Sequence, residues 1–325
     1  MATGPWILHA VLGGAIVLAT CAGLVWNEWR AAGQADALSM ARAQVVTLAA
    51  DRLPQGDQPA VVHVTGDAIA DRPIVEPLLG TAVDALRLDR QVEMYQWREI
   101  QEGGQNDRIV RYEGVWSPEV IDSRRYRDLG RVNPSRFPVP PQQHLAEDVR
   151  IGLHRVAPEL LAAAQTLPYR PTETRLTGDG IALRYVDGFY WSGDPAKPKV
   201  GDVRVSFAIL PEGPLSVLGR SQAGTIEPLI DRNGEPVGLI ATGLLTPDDL
   251  LGPAAAGNAG EVWKGRAIMA FIMLIGVMIM QKPLFAAFPV FLALGGDSTL
   301  RTGLLATLVI SVATSAVAWF LFRSP

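Results

Sequence analysis

Trp6-Ile-Leu-His-Ala-Val-Leu-Gly-Gly-Ala-Ile-Val-Leu-Ala-Thr-Cys-Ala-Gly-Leu-Val-Trp26 contains no Asp, Glu, Lys or Arg. At 1.5 Å per helical residue, a run of about 20 apolar residues crosses a hydrocarbon core of roughly 30 Å. Trp6 and Trp26 bracket the run and Trp29 follows it, and amphipathic indole rings favour the membrane–water interface. The competing reading is a signal peptide, which requires a basic lead-in and a shorter apolar stretch; the residues before Trp6 hold no Lys or Arg. Leu18-Ala19-Thr20-Cys21 hints at a lipoprotein signal, but it lacks a small residue of the usual kind before the cysteine. The segment is therefore read as a retained anchor.

Working outward, the 325 residues are 48% hydrophobic yet 19% charged, with a mean hydropathy of +0.17. Such a chain is too apolar for an ordinary soluble protein and too charged for a wholly buried one. Its apolar residues collect at the two ends. Near the C-terminus, Ala267–Met280 and Pro283–Gly296 are apolar, as is Gly303–Phe322, which is closed by Trp319 and Arg323. The first two runs are short, covering about 21 Å each as helix. Pro283 and Pro289 argue against one rod through both, which favours a hairpin or an interfacial second leg. The expected fold is an integral membrane protein with α-helical transmembrane segments, one N-terminal and two to three C-terminal (about 262–281, 283–296 and 303–322). Between residues 30 and 260 an extramembrane α+β domain with a mainly antiparallel sheet is expected, with residues 1–29 as the N-terminal span and 261–325 as the C-terminal membrane cluster.

Inside that domain the period changes to two. Val61–Thr65, Gln91–Ile100, Arg108–Trp116, Ile181–Val186, Val203–Leu210, Ser216–Gly219 and Pro236–Thr242 read as strands. Arg30–Asp51 reads as a helix continuing the first span until Pro54 and Pro59. Ala146–Leu161 reads as an amphipathic helix, and Thr246-Pro247-Asp248-Asp249 as a capped helix start.

The net charge of −4 leaves no electrostatic footprint for nucleic acid. One cysteine, Cys21, excludes a disulfide framework and thiol-based metal sites. The four histidines (His9, His63, His144 and His154) stand at no metal-ligand spacing, and no nucleophile elbow, P-loop or dinucleotide fingerprint is present. No catalytic residue, metal or cofactor is implied. Two segments still stand out. Strand alternation places Glu93, Tyr95, Trp97 and Glu99 on one face and Val92, Met94 and Gln96 on the other. That face could line a ligand site, or pair across strands with Arg108, Tyr112 and Trp116. Asp187–Phe207 is dense in Gly and Pro; its trio Phe189, Tyr190 and Trp191 either dips into a bilayer surface or caps the sheet core. Glu93, Tyr95, Trp97, Phe189, Tyr190, Trp191, Asp202 and Arg204 are the candidate binding residues.

Val92-Glu-Met-Tyr-Gln-Trp97, Trp116 with Ile121-Asp-Ser123, Asn133-Pro-Ser135, and Asp187–Phe207 ending Gly-Asp-Val-Arg-Val-Ser-Phe resemble the transmembrane protein 43 (LUMA) family in order and spacing. Ala313-Thr-Ser315 with Trp319 and Leu321-Phe322-Arg323 fits its C-terminal end. The resemblance covers nearly the whole chain. It implies a non-enzymatic multi-pass membrane protein that self-associates and binds other envelope proteins, with its large domain facing the lumen. Shortness and a bias to Ala, Gly and Arg suggest a bacterial member, in which the domain would be periplasmic on an inner-membrane protein. Arg30, Arg42, Lys264 and Arg266 flank the membrane on the domain's side, so the positive-inside rule alone would place it in the cytoplasm. That rule weakens for long translocated domains, and the resemblance is followed here.

The leading functional expectation is a scaffold that organises partners or copies of itself at the membrane, with membrane lipids, further membrane or envelope proteins and a second copy as partners. Gly13, Gly14 and Ala313–Ala318 would permit close helix packing, between copies or within one chain. The alternative is an enzyme or binding protein acting on lipid or envelope material through Glu93, Tyr95, Glu99, Asp187 and Asp202. A channel is disfavoured because, apart from Lys282, the spans carry almost no ionisable residues of the kind that line ion pathways.

Overall fold

The computed structural model describes residues 5–54, 59–102, 109–178, 180–287 and 299–323. The chain divides into two compact units. One, the helical unit, comprises Met1–Val45, Leu229–Val237 and Thr246–Pro325; the other, the sheet-bearing unit, comprises Val46–Pro228 and Gly238–Leu245.

Among the described residues, three helices of the helical unit are long and apolar enough to cross a membrane: α1 (Pro5–Gln44), α3 (Pro247–Ala287) and α4 (Thr299–Arg323). Among the described residues the one further helix, α2 (Pro158–Ala163), is a single short element of the sheet-bearing unit. The helix expected beyond Trp29 is present but ends at Gln44 instead of Asp51. There the β-branched run Val45-Val46-Thr47 begins, which is stiff at χ1 and fits a strand better. Val46–Leu48 accordingly pairs in parallel with Val62–Val64. At the other end α3 starts where Thr246 and Asp249 cap each other. Thr246 Oγ1 accepts from the Asp249 N–H at 3.3 Å, and Asp249 Oδ2 accepts from the Thr246 N–H at 2.9 Å. Pro283 does not end α3, which continues to Ala287. A helix satisfies its own backbone where no water is present, and a proline near its end is tolerated. The remainder of the expected 283–296 segment, from residue 288, lies outside the described residues.

The two longest helices run antiparallel and close together because small residues stand where they cross. A Cβ on Gly13 would lie 2.6 Å from the Gly276 carbonyl oxygen, and one on Gly276 would lie 2.7 Å from Ile16. Gly13 thus packs within the chain. Leu24, Met273 and Val277 form a buried cluster in this bundle, with Cys21, Ala306 and Ile310 against it. Further along, the contacts turn polar. Asn27 Nδ2 donates to the Val262 carbonyl at 3.2 Å, Asn258 Nδ2 donates to the Ala31 carbonyl at 2.9 Å, and Arg266 pairs with the fully buried Glu28 at 2.7 Å. Such buried pairs fix which turn of one helix faces which turn of the other. A short ribbon, Leu229–Ile230 with Pro236–Val237, docks on α1 through Asn233, whose Nδ2 reaches the Trp29 carbonyl at 3.2 Å.

In the sheet-bearing unit, among the described residues, two main sheets form, mostly antiparallel. The first runs Val46–Leu48, Ala60–Ile69, Arg150–Ile151, His154–Val156, Thr225–Glu227, Gly213–Gln222 and Leu239–Thr242. Ala60–Ile69 also pairs with Gly213–Gln222, so five of these strands close into a ring. The second is built on the 18-residue strand Ala85–Glu102, flanked by Val203–Pro211 and Ile109–Ser117. Beyond Val203–Pro211 lie Phe189–Trp191, Ile181–Val186 and Arg175–Gly178. Leu86, Leu88, Met94, Val203, Val205, Leu210, Leu215 and Val217 fill one continuous core. Each fully buried aliphatic side chain contributes about 1.5–3 kcal/mol. The core also encloses an ion pair. Arg90 bonds the fully buried Glu76, the Pro140 carbonyl at 3.0 Å and Gln142 at 2.9 Å.

The expected helix at Ala146–Leu161 is not formed. Apolar residues do recur there at helical spacing, but Arg150–Ile151 and His154–Val156 make a hairpin. Its turn holds Gly152 at φ +58°, with Asp148 at φ +49° just before it. A Cβ on Gly152 would lie 2.3 Å from the Ala50 carbonyl oxygen, so only glycine fits. Only α2 remains of the helix. The expected strand Pro236–Thr242 is interrupted at Gly238, where Ala163 leaves no room for a side chain. The Gln101–Asp107 loop falls largely, and Arg108 wholly, outside the described residues.

Candidate functional site

Alternation along Ala85–Glu102 is as expected: Val92, Met94 and Gln96 are buried, while Glu93, Tyr95 and Trp97 point the other way and are partly exposed. The antiparallel register sets Arg204 opposite Glu93, Trp191 opposite Arg204 and Trp116 opposite Tyr95. Arg204 Nε donates to Glu93 Oε2 at 2.7 Å. Its guanidinium lies over Phe189 at 4.7 Å, Trp116 at 5.0 Å and Trp191 at 5.8 Å. Tyr95 packs on Trp116 and Trp116 on Trp191, each with ring centroids 5.2 Å apart. Five of the candidate residues, Glu93, Tyr95, Phe189, Trp191 and Arg204, therefore form one cluster on the outer sheet face. Trp116 completes it, and only its cross-strand position signalled that role.

The other three candidates lie elsewhere. Tyr190 points into the core, 1% exposed, and donates to the Glu173 carbonyl at 2.6 Å. Burial pushes its phenol up to about 12. The trio 189–191 is thus a strand whose side chains alternate, not the tip of a loop: Tyr190 caps the core while Phe189 and Trp191 cover Arg204. Asp187 and Gly188, at φ +46° and +90°, form the two-residue turn before it, so Asp187 holds a backbone position. Asp202 is tied into its own loop, accepting from the Lys199 N–H at 2.7 Å. Gly193 lets it approach, since a Cβ there would lie 2.3 Å from Asp202 Oδ2.

Trp97 is stacked 4.0 Å beneath Arg131 and belongs to a second assembly. Asn133 is its centre: its Oδ1 accepts from the Trp97 N–H at 2.7 Å, and its Nδ2 donates to the carbonyls of Trp97 and Ile121. Glu99 binds the same loop, accepting from Tyr112 Oη at 2.6 Å and from the Arg127 N–H at 2.9 Å. The Tyr112 hydrogen bond leads in holding the Glu99 carboxyl below its usual range. Desolvation, then Glu99, raises the Tyr112 phenol. These groups clamp residues 121–133 onto the sheet.

Two clefts flank the cluster. One, of about 400 Å³, is lined by Gln91, Tyr169, Arg170, Tyr185, Phe189 and Ser206. The other, of about 420 Å³, reaches Glu93 and Phe189 from the side of Pro118 and Pro141. Glu93 is the one carboxylate on either wall, and Arg204 neutralises it. Among the described residues no three His, Cys, Asp or Glu side chains gather where they would hold a metal ion.

His63 is buried with Nε2 unpartnered, and its Nδ1 lies 3.3 Å from Thr47 Oγ1. Burial lowers its pKa from 6.5, so the unfolded chain takes up the proton first. The stability that the neutral ring contributes is present above about pH 6.5 and is lost progressively as pH falls toward the folded value. Thermal melts from pH 7.5 to 5 should show a decline that is shallower in His63→Leu; parallel curves would exclude this group as the cause.

A family model described as Transmembrane protein 43 matches residues 94–324. The chain is 29% identical to the transmembrane protein 43 homolog of Drosophila melanogaster, over 97% of this chain and 89% of that one. It is 26% identical to human transmembrane protein 43, over 91% of this chain and 80% of the relative. No solved structure matches. The matched region begins on the strand carrying Tyr95 and Trp97, takes in Asn133 and Arg204, and ends on the last span. With its helices and clamped aromatic sheet, this chain belongs to the transmembrane protein 43 family of membrane proteins.

Proposed function

We propose that this protein is a non-enzymatic membrane scaffold, which organises copies of itself or partner proteins at the bilayer. The observation that carries this reading is the fate of the distinctive polar residues. Glu93 is held by Arg204, Glu99 by Tyr112 and the 121–133 loop, and Asp202 by its own loop. Groups so paired build a rigid aromatic surface, whereas catalysis calls for converging carboxylates free to exchange protons. Glu93 and Asp202 do not converge, which weighs against an enzyme acting on lipid or envelope material. In this reading the protein is bacterial and sits in the inner membrane, with the sheet-bearing unit in the periplasm, in keeping with the family resemblance.

Light scattering on the full chain in mild detergent, with cross-linking in native membranes, tests the assembly. A protein mass at a multiple of 35.0 kDa supports self-association. A monomer by both methods, with no co-purifying membrane protein, would sink the reading. Orientation is tested with Leu129→Cys in a Cys21→Ala background, since Leu129 is 83% exposed. Labelling by an impermeant thiol reagent in intact cells supports the periplasmic side; protection until lysis places the unit in the cytoplasm.

A further inference from the structure

The second sheet ends in an open edge. Among the described residues, Ile109–Ser117 closes the strand order on one side and pairs only with Ala85–Glu102. Alternate residues of an antiparallel strand turn their backbone groups to opposite sides. The Tyr95 N–H and carbonyl bond Asp202 and Gly201, and those of Trp97 bond Asn133, so both residues turn their backbone away from Ile109–Ser117. Trp116 and Gly114 stand opposite them, and with Tyr112 and Val110 they direct their N–H and carbonyl groups outward. Among the described residues, no hydrogen bond outside the sheet ladder reaches the backbone of these residues. An open row of donors and acceptors pairs readily with another chain, so edges are usually kept short or broken by proline. The far edge, Arg175–Gly178, is short; this one has nine residues and no proline.

The charges on the strand select the chain that fits. Arg111 and Glu113 stand on either side of Tyr112, both exposed and on the same face. When two identical strands pair antiparallel with Tyr112 opposite its own copy, Arg111 of each lies opposite Glu113 of the other. That register lets Tyr112 exchange hydrogen bonds with Tyr112, and Val110 with Gly114, through the groups left open. A step of the register one way sets Glu113 against Glu113, and a step the other way sets Arg111 against Arg111. Like charges directly opposite are destabilising. Within the chain Arg111 meets Glu102 at 2.7 Å and Glu113 faces Arg98 at 3.8 Å. Signs would therefore alternate from Arg98 and Glu113 to Arg111 and Glu102 of the second copy.

We propose that Ile109–Ser117 is a self-association edge, to which a second copy of this chain adds its own Ile109–Ser117 about a two-fold axis at Tyr112. This deepens the scaffold reading and rests on its self-assembly. The test is sedimentation equilibrium of the full chain in mild detergent, for R111E, for E113R and for an equal mixture of the two. Each single variant turns the charge pairs of the interface into like-charge pairs and should raise the dimer dissociation constant by about tenfold or more. The mixture sets carboxylates of one variant against guanidiniums of the other. It should return the constant close to that of the unsubstituted chain, with differently tagged variants co-purifying. Circular dichroism checks that each variant keeps its fold. A dimer that resists both single changes, or singles that mixing does not rescue, overturns this edge while self-association through another surface stands. An unsubstituted chain that is monomeric in detergent and on cross-linking in native membranes overturns self-assembly and this edge together, leaving the edge to a strand of a different protein.

Discussion

Truncating Glu76 to alanine is expected to destabilise the sheet-bearing unit by about 3–5 kcal/mol, the usual consequence of leaving a buried charge without its partner. Glu76 is fully buried; one carboxylate oxygen meets Arg90 and the other accepts from the Leu79 N–H at 2.7 Å. Without it the Arg90 guanidinium keeps only neutral acceptors, Pro140 and Gln142, in a site that water does not reach. The pair itself is worth much less than either half, because both charges lost their hydration on folding. Glu76→Leu with Arg90→Met should therefore be less damaging than Glu76→Ala alone. Hydrogen exchange of the amides in Ala85–Glu102 on the full chain reads the difference directly. A single-variant loss below about 1 kcal/mol would show that the site relaxes to admit water.

Gly13→Ala and Gly14→Ala should have opposite outcomes although they are neighbours in one helix. Both gain helix propensity, by about 1 kcal/mol in a helix interior. On Gly14 the new methyl would meet the Met280 sulfur at 3.8 Å, an ordinary contact. On Gly13 it would enter the Gly276 carbonyl at 2.6 Å and the Met280 backbone nitrogen at 2.9 Å. Helices in lipid gain little from hydrophobicity, so close packing is what holds them together. Overpacking of this kind costs about 1–3 kcal/mol. Melting of the detergent-solubilised chain should fall for Gly13→Ala and hold or rise for Gly14→Ala. Equal behaviour of the two would mean that α1 and α3 slide to a new register at no cost.

The membrane segments were legible because length and apolarity alone determine them, and the 92–99 face was legible because alternation is local. The pairing of Glu93 with Arg204 was not. Each residue could be put on a face, but what brings them together is a register between strands more than a hundred positions apart. The same holds for Asn133, whose short motif stood out while its partners, the backbone of Trp97 and Ile121, carry no side-chain signature. At Ala146–Leu161 the local signal pointed the wrong way. Val149, Val156 and Leu160 are apolar at helical spacing, yet the conformation is decided by Gly152 and its approach to Ala50, a contact invisible to any window along the chain.

The continuity of α1 and α3 has a mechanical side. Forty residues of helix measure about 60 Å, twice the hydrocarbon thickness, so roughly half of each rod stands clear of the lipid. No break separates the two halves of either helix, and Glu28 with Arg266 pins them together near the interface. A pair of rods joined in this way acts as a lever with its fulcrum in the headgroups. If a thinner bilayer tilts the immersed half by about 10°, the free tip swings by about 5 Å.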